Sequence, residues 1–147
     1  MSDEPSEAVV SAWVGLLRAH RRALGLVEER LKAAGLPPLA WYDALLELER
    51  AGAAGMRPFE LERATLVQQY NLSRLIDRLE RAGYVERSPC PGDGRGQFVH
   101  LTAAGRDVRR RSWPVYAAAI EEAVGSRLEE ADAARLAALL RPLAGDG

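Results

Sequence analysis

Residues 72–105, LSRLIDRLERAGYVERSPCPGDGRGQFVHLTAAG, decide the fold that this sequence predicts. The first part of this stretch carries apolar side chains at i, i+3, i+4 and i+7, the pattern of a helix with one buried stripe: Leu72, Leu75, Ile76 and Leu79. Gly83 ends this helix. Two runs of β-forming residues, 84–88 and 97–101, then flank a segment dense in Pro and Gly and predict a hairpin with an extended tip.

Three helices are predicted before this stretch. The first covers residues 5–34 and places apolar residues in a narrow heptad pattern that needs a partner helix: Trp13, Leu17, His20, Leu24, Val27 and Leu31. The second covers about 39–50, and a short third covers 58–64 with Pro58 in its first turn. Thr65 to Gln68 match the capping box S/T-x-x-E/Q, which predicts that the polar-faced helix begins at Thr65.

Two further helices are predicted after the hairpin. Thr102 is a candidate N-cap for a long helix to about Gly125, in which Pro114 predicts a kink, and the last helix covers about 130–143. This order is typical of a mainly α winged helix-turn-helix with a two-stranded β-wing, flanked by N- and C-terminal helices. In that layout one helix enters the major groove of DNA and the wing lies beside it.

The polar face of the predicted recognition helix carries side chains that contact phosphates and base edges: Gln68, Gln69, Tyr70, Asn71, Ser73, Arg74 and Arg78. Many solvated helix faces also carry Gln and Arg, so this face alone does not identify a DNA reader. The wing adds Arg95 between two glycines, where its guanidinium could enter a narrow minor groove. Asp93 is positioned in sequence to pair with Arg95 or with an arginine of the helix.

The distribution of charge supports a nucleic-acid partner, although the chain has 20 basic and 21 acidic residues and a net charge of −1. Residues 57–111 hold 11 Arg against seven acidic residues, a net of +4, and the remainder has a net of −5. The near-neutral total therefore hides a basic middle between acidic ends.

The runs Leu72 to Arg87, Pro89 to Gly96 and Leu101 to Gly105 resemble the multiple antibiotic resistance regulator (MarR) family. The resemblance implies a prokaryotic winged-helix transcription regulator, expected to be a repressor, that binds pseudo-palindromic double-stranded DNA as a homodimer. It assigns dimerisation to residues 1–36 and 103–147 and DNA binding to residues 37–102. Its DNA-contacting positions match Ser73, Arg74 and the preceding residues 68–71, with Arg95 and Asp93 on the wing.

The resemblance also implies that a small, often aromatic or phenolic effector can bind between the dimer and DNA-binding regions. Four residues of this chain would be near such a pocket: Trp13, His20, Trp41 and Tyr42. Aromatic walls with polar handles suit small-molecule sites, but ordinary core or dimer packing is the favoured explanation for each of these residues taken alone. An effector pocket is therefore a hypothesis for these four.

Several other functions are not expected. The two histidines have no acidic or cysteine residues at ligand spacing, no nucleophile set is recognisable, and the glycine-rich segment lacks the Lys and the following helix of a phosphate loop. We therefore expect no metal, no cofactor and no enzyme activity. An acidic N-terminus, a single Cys and the lack of a long apolar run predict a cytoplasmic chain without a membrane span. A redox role for Cys90 is left open, and a winged-helix protein-interaction module is the alternative function.

Overall fold

The computed structural model describes residues 3–66, 71–90 and 93–145, without the side chains of Cys90 and residues 93–95. Its helices are α1 (Glu7–Ala33), α2 (Leu39–Ala51), α3 (Pro58–Ala64), α4 (Leu72–Arg81), α5 (Ala103–Ala123) and α6 (Glu130–Ala144). Strands β1 (Val85–Cys90) and β2 (Asp93–Leu101) lie between α4 and α5, and short 3-10 turns occupy Gly52–Ala54 and Gly125–Arg127. The predicted mainly α winged helix-turn-helix is confirmed.

The chain forms two compact units. Residues 1–30 and 116–147 make up one, here called the helical unit, and residues 31–115 make up the other, the winged unit. The winged unit has a continuous apolar core in which the largest side chains are fully buried: Leu45, Leu48, Leu61, Ile76, Leu79, Val85 and Val99. Packing of this kind fixes α2, α3 and α4 against the wing.

The strands pair antiparallel, with Val85 opposite Leu101 and Pro89 opposite Gln97. They extend further toward the tip than residues 84–88 and 97–101, because backbone pairing continues through Pro89 to Cys90 with an irregularity in register. A proline is tolerated here since each strand of a two-stranded sheet has an open edge. Met56 also pairs with Val99, so the segment before α3 is bonded to the wing.

The predicted start of the recognition helix at Thr65 is wrong. Thr65 instead ends α3, donating its N–H to the Leu61 carbonyl and its hydroxyl to the Glu62 carbonyl at 3.3 Å. Helix α4 begins at Leu72, and Asn71 is its N-cap, with Oδ1 accepting the Arg74 N–H at 3.1 Å. A capping-box match requires only two residue types, so it identifies candidate caps rather than the one that the fold uses.

Local side chains and a glycine mark other helix ends. Ser6 Oγ accepts the Val9 N–H at 3.2 Å at the start of α1, and Gly35 has the positive φ of 71° expected just past its end. Thr102 Oγ1 accepts the Gly105 N–H at 3.1 Å and so caps α5. Helix α5 continues through Pro114 as one element of 21 residues.

Candidate nucleic-acid interface

Helix α4 has one face in the core and one face open to solvent. Leu75, Ile76 and Leu79 are buried, whereas Ser73, Arg74 and Arg78 are exposed. A helix anchored along one stripe can present its opposite side chains to a partner at fixed spacing. Ser73, Arg74 and Arg78 are among the side chains that the sequence predicts to contact DNA.

Asn71 has a structural role at the start of this helix. Its side-chain oxygen holds the Arg74 N–H, which satisfies one of the free donors in the first turn. The side chain is also exposed. Its role in reading bases stays a prediction. The capping hydrogen bond holds the Asn71 side chain at the start of α4.

Several predicted contact residues lie outside what the structure describes. Gln68, Gln69 and Tyr70 lie outside the described residues. Asp93 and Arg95 have described backbone in β2, but their side chains are not described. Their roles remain predictions from sequence.

The arginines of the winged unit fall into two groups. The first group pairs with carboxylates inside the unit: Arg50 with Glu47, Arg87 with Asp77 and Glu80, Arg106 and Arg109 with Glu49, and Arg111 with Asp107. The second group forms no ion pair with any described carboxylate: Arg57, Arg63, Arg74, Arg78, Arg81 and Arg110. The unpaired arginines, which are available to a partner, are therefore concentrated on α3 and α4. A count of arginines by region does not separate them from the ion-paired ones.

Two of the unpaired arginines lie over aromatic rings. The Arg57 guanidinium carbon is 5.7 Å from the ring centre of Phe98 on β2, and that of Arg63 is 5.6 Å from Phe59. Phe59 and Arg63 are four residues apart on α3, so their contact could have been predicted from helical spacing. The Arg57 contact joins residues 41 positions apart and carries no local signal in the sequence.

The wing is tied to the recognition helix by an ion-pair cluster. Arg87 on β1 donates to Asp77 at 2.7 Å and to Glu80 at 3.4 Å, both on α4. Within the wing, the Ser88 hydroxyl and His100 Nε2 are 2.7 Å apart across the two strands. These contacts fix the angle between the two elements that are predicted to contact DNA.

Asp43 on α2 also supports the interface, and sequence reasoning did not identify it. Its carboxylate is buried and accepts the N–H of Leu66 at 2.6 Å. A buried carboxylate is costly unless it is hydrogen-bonded, and this contact joins the chain just after α3 to α2. The available signal was an aspartate inside the apolar run Tyr42 to Leu46.

The four residues predicted to line an effector pocket occupy different places. Tyr42 is buried and stacks on Trp113 of α5 with ring centres 6.3 Å apart, and Trp41 packs edge-on against Tyr84 at 6.1 Å. Both contacts lie within the winged unit. Trp13 and His20 are exposed residues of the helical unit. Trp113 is an aromatic neighbour of Tyr42 that the sequence did not predict.

Other kinds of site find little support in the described part of the chain. No group of three or more His, Cys, Asp or Glu residues there could hold a metal ion. None of its helices is both long and apolar enough to cross a membrane.

Comparison with known proteins gives one consistent family. The profile of the MarR family matches residues 34–96, which contain α2, α3, α4 and most of the wing. The multiple antibiotic resistance protein MarR of Escherichia coli strain K12 is 45% identical over 53 residues, covering 36% of this chain and 37% of that protein. The curated relatives compared are matched over 37% to 53% of their own length, and their names describe transcriptional regulators and resistance proteins.

Two solved structures from Streptomyces coelicolor extend the likeness over nearly the whole chain. Sco3205, a MarR family transcriptional regulator in complex with DNA, is 28% identical with a TM-score of 0.85, covering 96% of this chain and 92% of that one. AbsC, also a MarR family transcriptional regulator, is 29% identical with a TM-score of 0.81, covering 98% and 97%.

Proposed function

We propose that this chain is a sequence-specific double-stranded DNA-binding transcriptional regulator of the MarR family. The observation that carries the proposal is the exposed face of α4, where Arg74 and Arg78 form no ion pair with a described carboxylate, beside a wing that is ion-paired to the same helix. Ser73, Arg74 and Arg78 would contact base edges and phosphates in the major groove, together with residues 68–71. Arg95 would reach the adjacent minor groove.

The proposed assembly is a homodimer in which residues 1–36 and 103–147 supply the interface. Large apolar side chains exposed on α1 and α6 support it, including Trp13 at 60%, Leu139 at 62% and Leu143 at 71% exposure. Monomeric soluble proteins rarely expose so many clustered apolar residues. A symmetric dimer would bind a pseudo-palindromic operator with its recognition helices about 34 Å apart.

We also propose that the protein is a repressor and that a small aromatic effector releases it from DNA. An effector can shift the equilibrium only if it binds one spacing of the two recognition helices better than another. Trp41 and Tyr42 are side by side on α2 and contact Tyr84 and Trp113, so a ligand near them would act on the residues that connect α2 to the wing and α5. Thermal stabilisation by benzoate or phenol, lost in a Trp41→Ala variant, would support this part.

Selection of bound sequences from a random duplex pool tests the function directly. We expect a half-site repeated with two-fold symmetry at a spacing of about one helical turn, 10 to 10.5 base pairs, or a multiple of it. A fluorescence-anisotropy titration of the selected duplex should then lose affinity steeply with salt, at a slope of about −0.9 per phosphate contacted. Recovery of random sequences with a flat salt response would contradict the proposal and favour the winged-helix protein-interaction module.

A further inference from the structure

We propose that Arg57, held over the ring of Phe98, binds a DNA backbone phosphate between the helix-turn-helix and the wing. This inference rests on the proposed function and adds a residue outside the predicted DNA-contacting set. It starts from a cation that begins the first helix of the helix-turn-helix and also contacts the second strand of the wing.

Hydrogen bonds hold the backbone of Arg57 in place. Its own N–H donates to Glu60 Oε1 at 3.0 Å, which closes the first turn of α3, and its carbonyl accepts the N–H groups of Glu60 and Leu61. The preceding residue, Met56, exchanges two backbone hydrogen bonds with Val99 of β2, at 3.0 and 2.8 Å. The base of the Arg57 side chain is therefore held to α3 and to the wing at once.

The close approach of the chain before α3 to β2 requires Gly55. This residue has a φ of 71°, and a Cβ there would lie 2.7 Å from both the Val99 carbonyl oxygen and the His100 ring. The wing face that includes Phe98 and His100 thus lies directly against residues 55–57. That packing brings the Phe98 ring under the guanidinium of Arg57.

The Arg57 side chain is available to bind an anion from outside the protein. It is half-buried, its guanidinium carbon is 5.7 Å from the centre of the Phe98 ring, and it forms no ion pair with a carboxylate of the described residues. Glu60 is the nearest acidic residue along the chain, and its carboxylate accepts the backbone N–H of Arg57. A guanidinium over an aromatic ring keeps donors available, and phosphate is a preferred acceptor for them.

The ligand follows from the place of Arg57 in the fold. In helix-turn-helix proteins the first helix crosses the sugar-phosphate backbone while the second enters the groove. Arg57 is at the start of that first helix and is also in contact with the wing, which flanks the groove. A phosphate of the strand that passes between them is the anion within reach of both.

The test compares salt dependence of binding to the selected duplex for Arg57→Gln, Arg57→Lys, Phe98→Leu and the parent. We expect Arg57→Gln to bind about tenfold more weakly and to reduce the slope of log K against log salt by about 0.9. Arg57→Lys and Phe98→Leu keep the charge and should keep the slope, with affinity about two- to fivefold weaker because the contact between guanidinium and ring is lost.

Arg50→Gln is the matched control, because Arg50 is an exposed arginine of the same unit that pairs with Glu47 at 2.8 Å. It should bind with the parent's affinity and slope. A parental slope in Arg57→Gln would overturn the Arg57 contact and leave the proposed function intact. Absence of salt-dependent duplex binding by the parent would overturn both.

Discussion

Arg87 Nη2 donates to Asp77 Oδ1 at 2.7 Å, and this hydrogen bond joins the first wing strand to the recognition helix. The Asp77 and Arg87 side chains are partly exposed, at 44% and 25%, so solvent screens the pair and limits its energy. Its geometric effect is greater than its contribution to stability. The two elements that are proposed to contact adjacent grooves are held at one angle by side chains that do not themselves need to touch DNA.

A double-mutant cycle with Asp77→Asn and Arg87→Gln should give a coupling energy of roughly 0.5–1 kcal/mol in urea unfolding. Each single variant should also bind the selected duplex more weakly than the parent, because the wing is less well positioned. The exposed pair Asp107 and Arg111 on α5 is the control, for which we expect about 0.3 kcal/mol and unchanged DNA binding. Zero coupling between Asp77 and Arg87 would contradict the positioning role.

Gly105→Ala should destabilise the protein, by roughly 1–3 kcal/mol, although alanine is the better helix former. A Cβ at Gly105 would overlap the carbonyl oxygen of Tyr84 and the Leu101 side chain. Gly25 lies within α1 with nothing within 4 Å of its added Cβ, so Gly25→Ala should be neutral or stabilising by up to about 1 kcal/mol. Thermal and urea unfolding of both variants measures the difference, and equal effects would show that the contact at Gly105 relaxes freely.

Asp43→Ala should reduce the free energy of unfolding by roughly 1–3 kcal/mol, because the Leu66 N–H loses its acceptor. Asp43→Asn keeps an acceptor oxygen and should lose less. We also expect faster hydrogen exchange at the Leu66 amide in the alanine variant. Parental exchange at Leu66 would show that this bond does not hold the chain just after α3 to α2.

Arg74→Ala should relax base preference at one position in each half-site and cost roughly 1–3 kcal/mol of binding. Arg95→Ala should weaken binding about equally across sequences, since a wing contact in a minor groove reads shape more than base identity. Anisotropy titrations against the selected duplex and its single-base variants separate these two effects. Equal binding of Arg95→Ala and the parent would remove the wing contact from the proposal.

Leu139→Glu should convert the proposed dimer to a monomer at micromolar concentration, because it places a charge in an apolar surface on α6. Ala134 is also exposed but lies about 140° around the helix from Leu139, so Ala134→Glu is the matched control and should leave the mass unchanged. Light scattering after size-exclusion chromatography gives the mass of each. A parent that is itself monomeric would refute the homodimer.

The type and order of the helices and strands follow from local sequence patterns alone. The spacing of Leu72, Leu75, Ile76 and Leu79 fixes which face of α4 is buried, and this depends only on the 3.6-residue helical repeat. The caps at Ser6 and Thr102 and the glycine at position 35 are equally local. The run from Leu72 to Gly105 also carries the family resemblance, so the winged helix and the exposed α4 arginines were both predictable.

Which polar groups stabilise the fold and which are available to a partner depends on how the chain packs in three dimensions. Arg87 and Arg57 look alike in sequence, yet one is paired with Asp77 and Glu80 and the other lies over the ring of Phe98. Asp43 reaches Leu66 across 23 positions in the chain. Local propensity contains no information on such pairs, because their partners are brought together by the burial of the apolar core and not by their spacing in the chain.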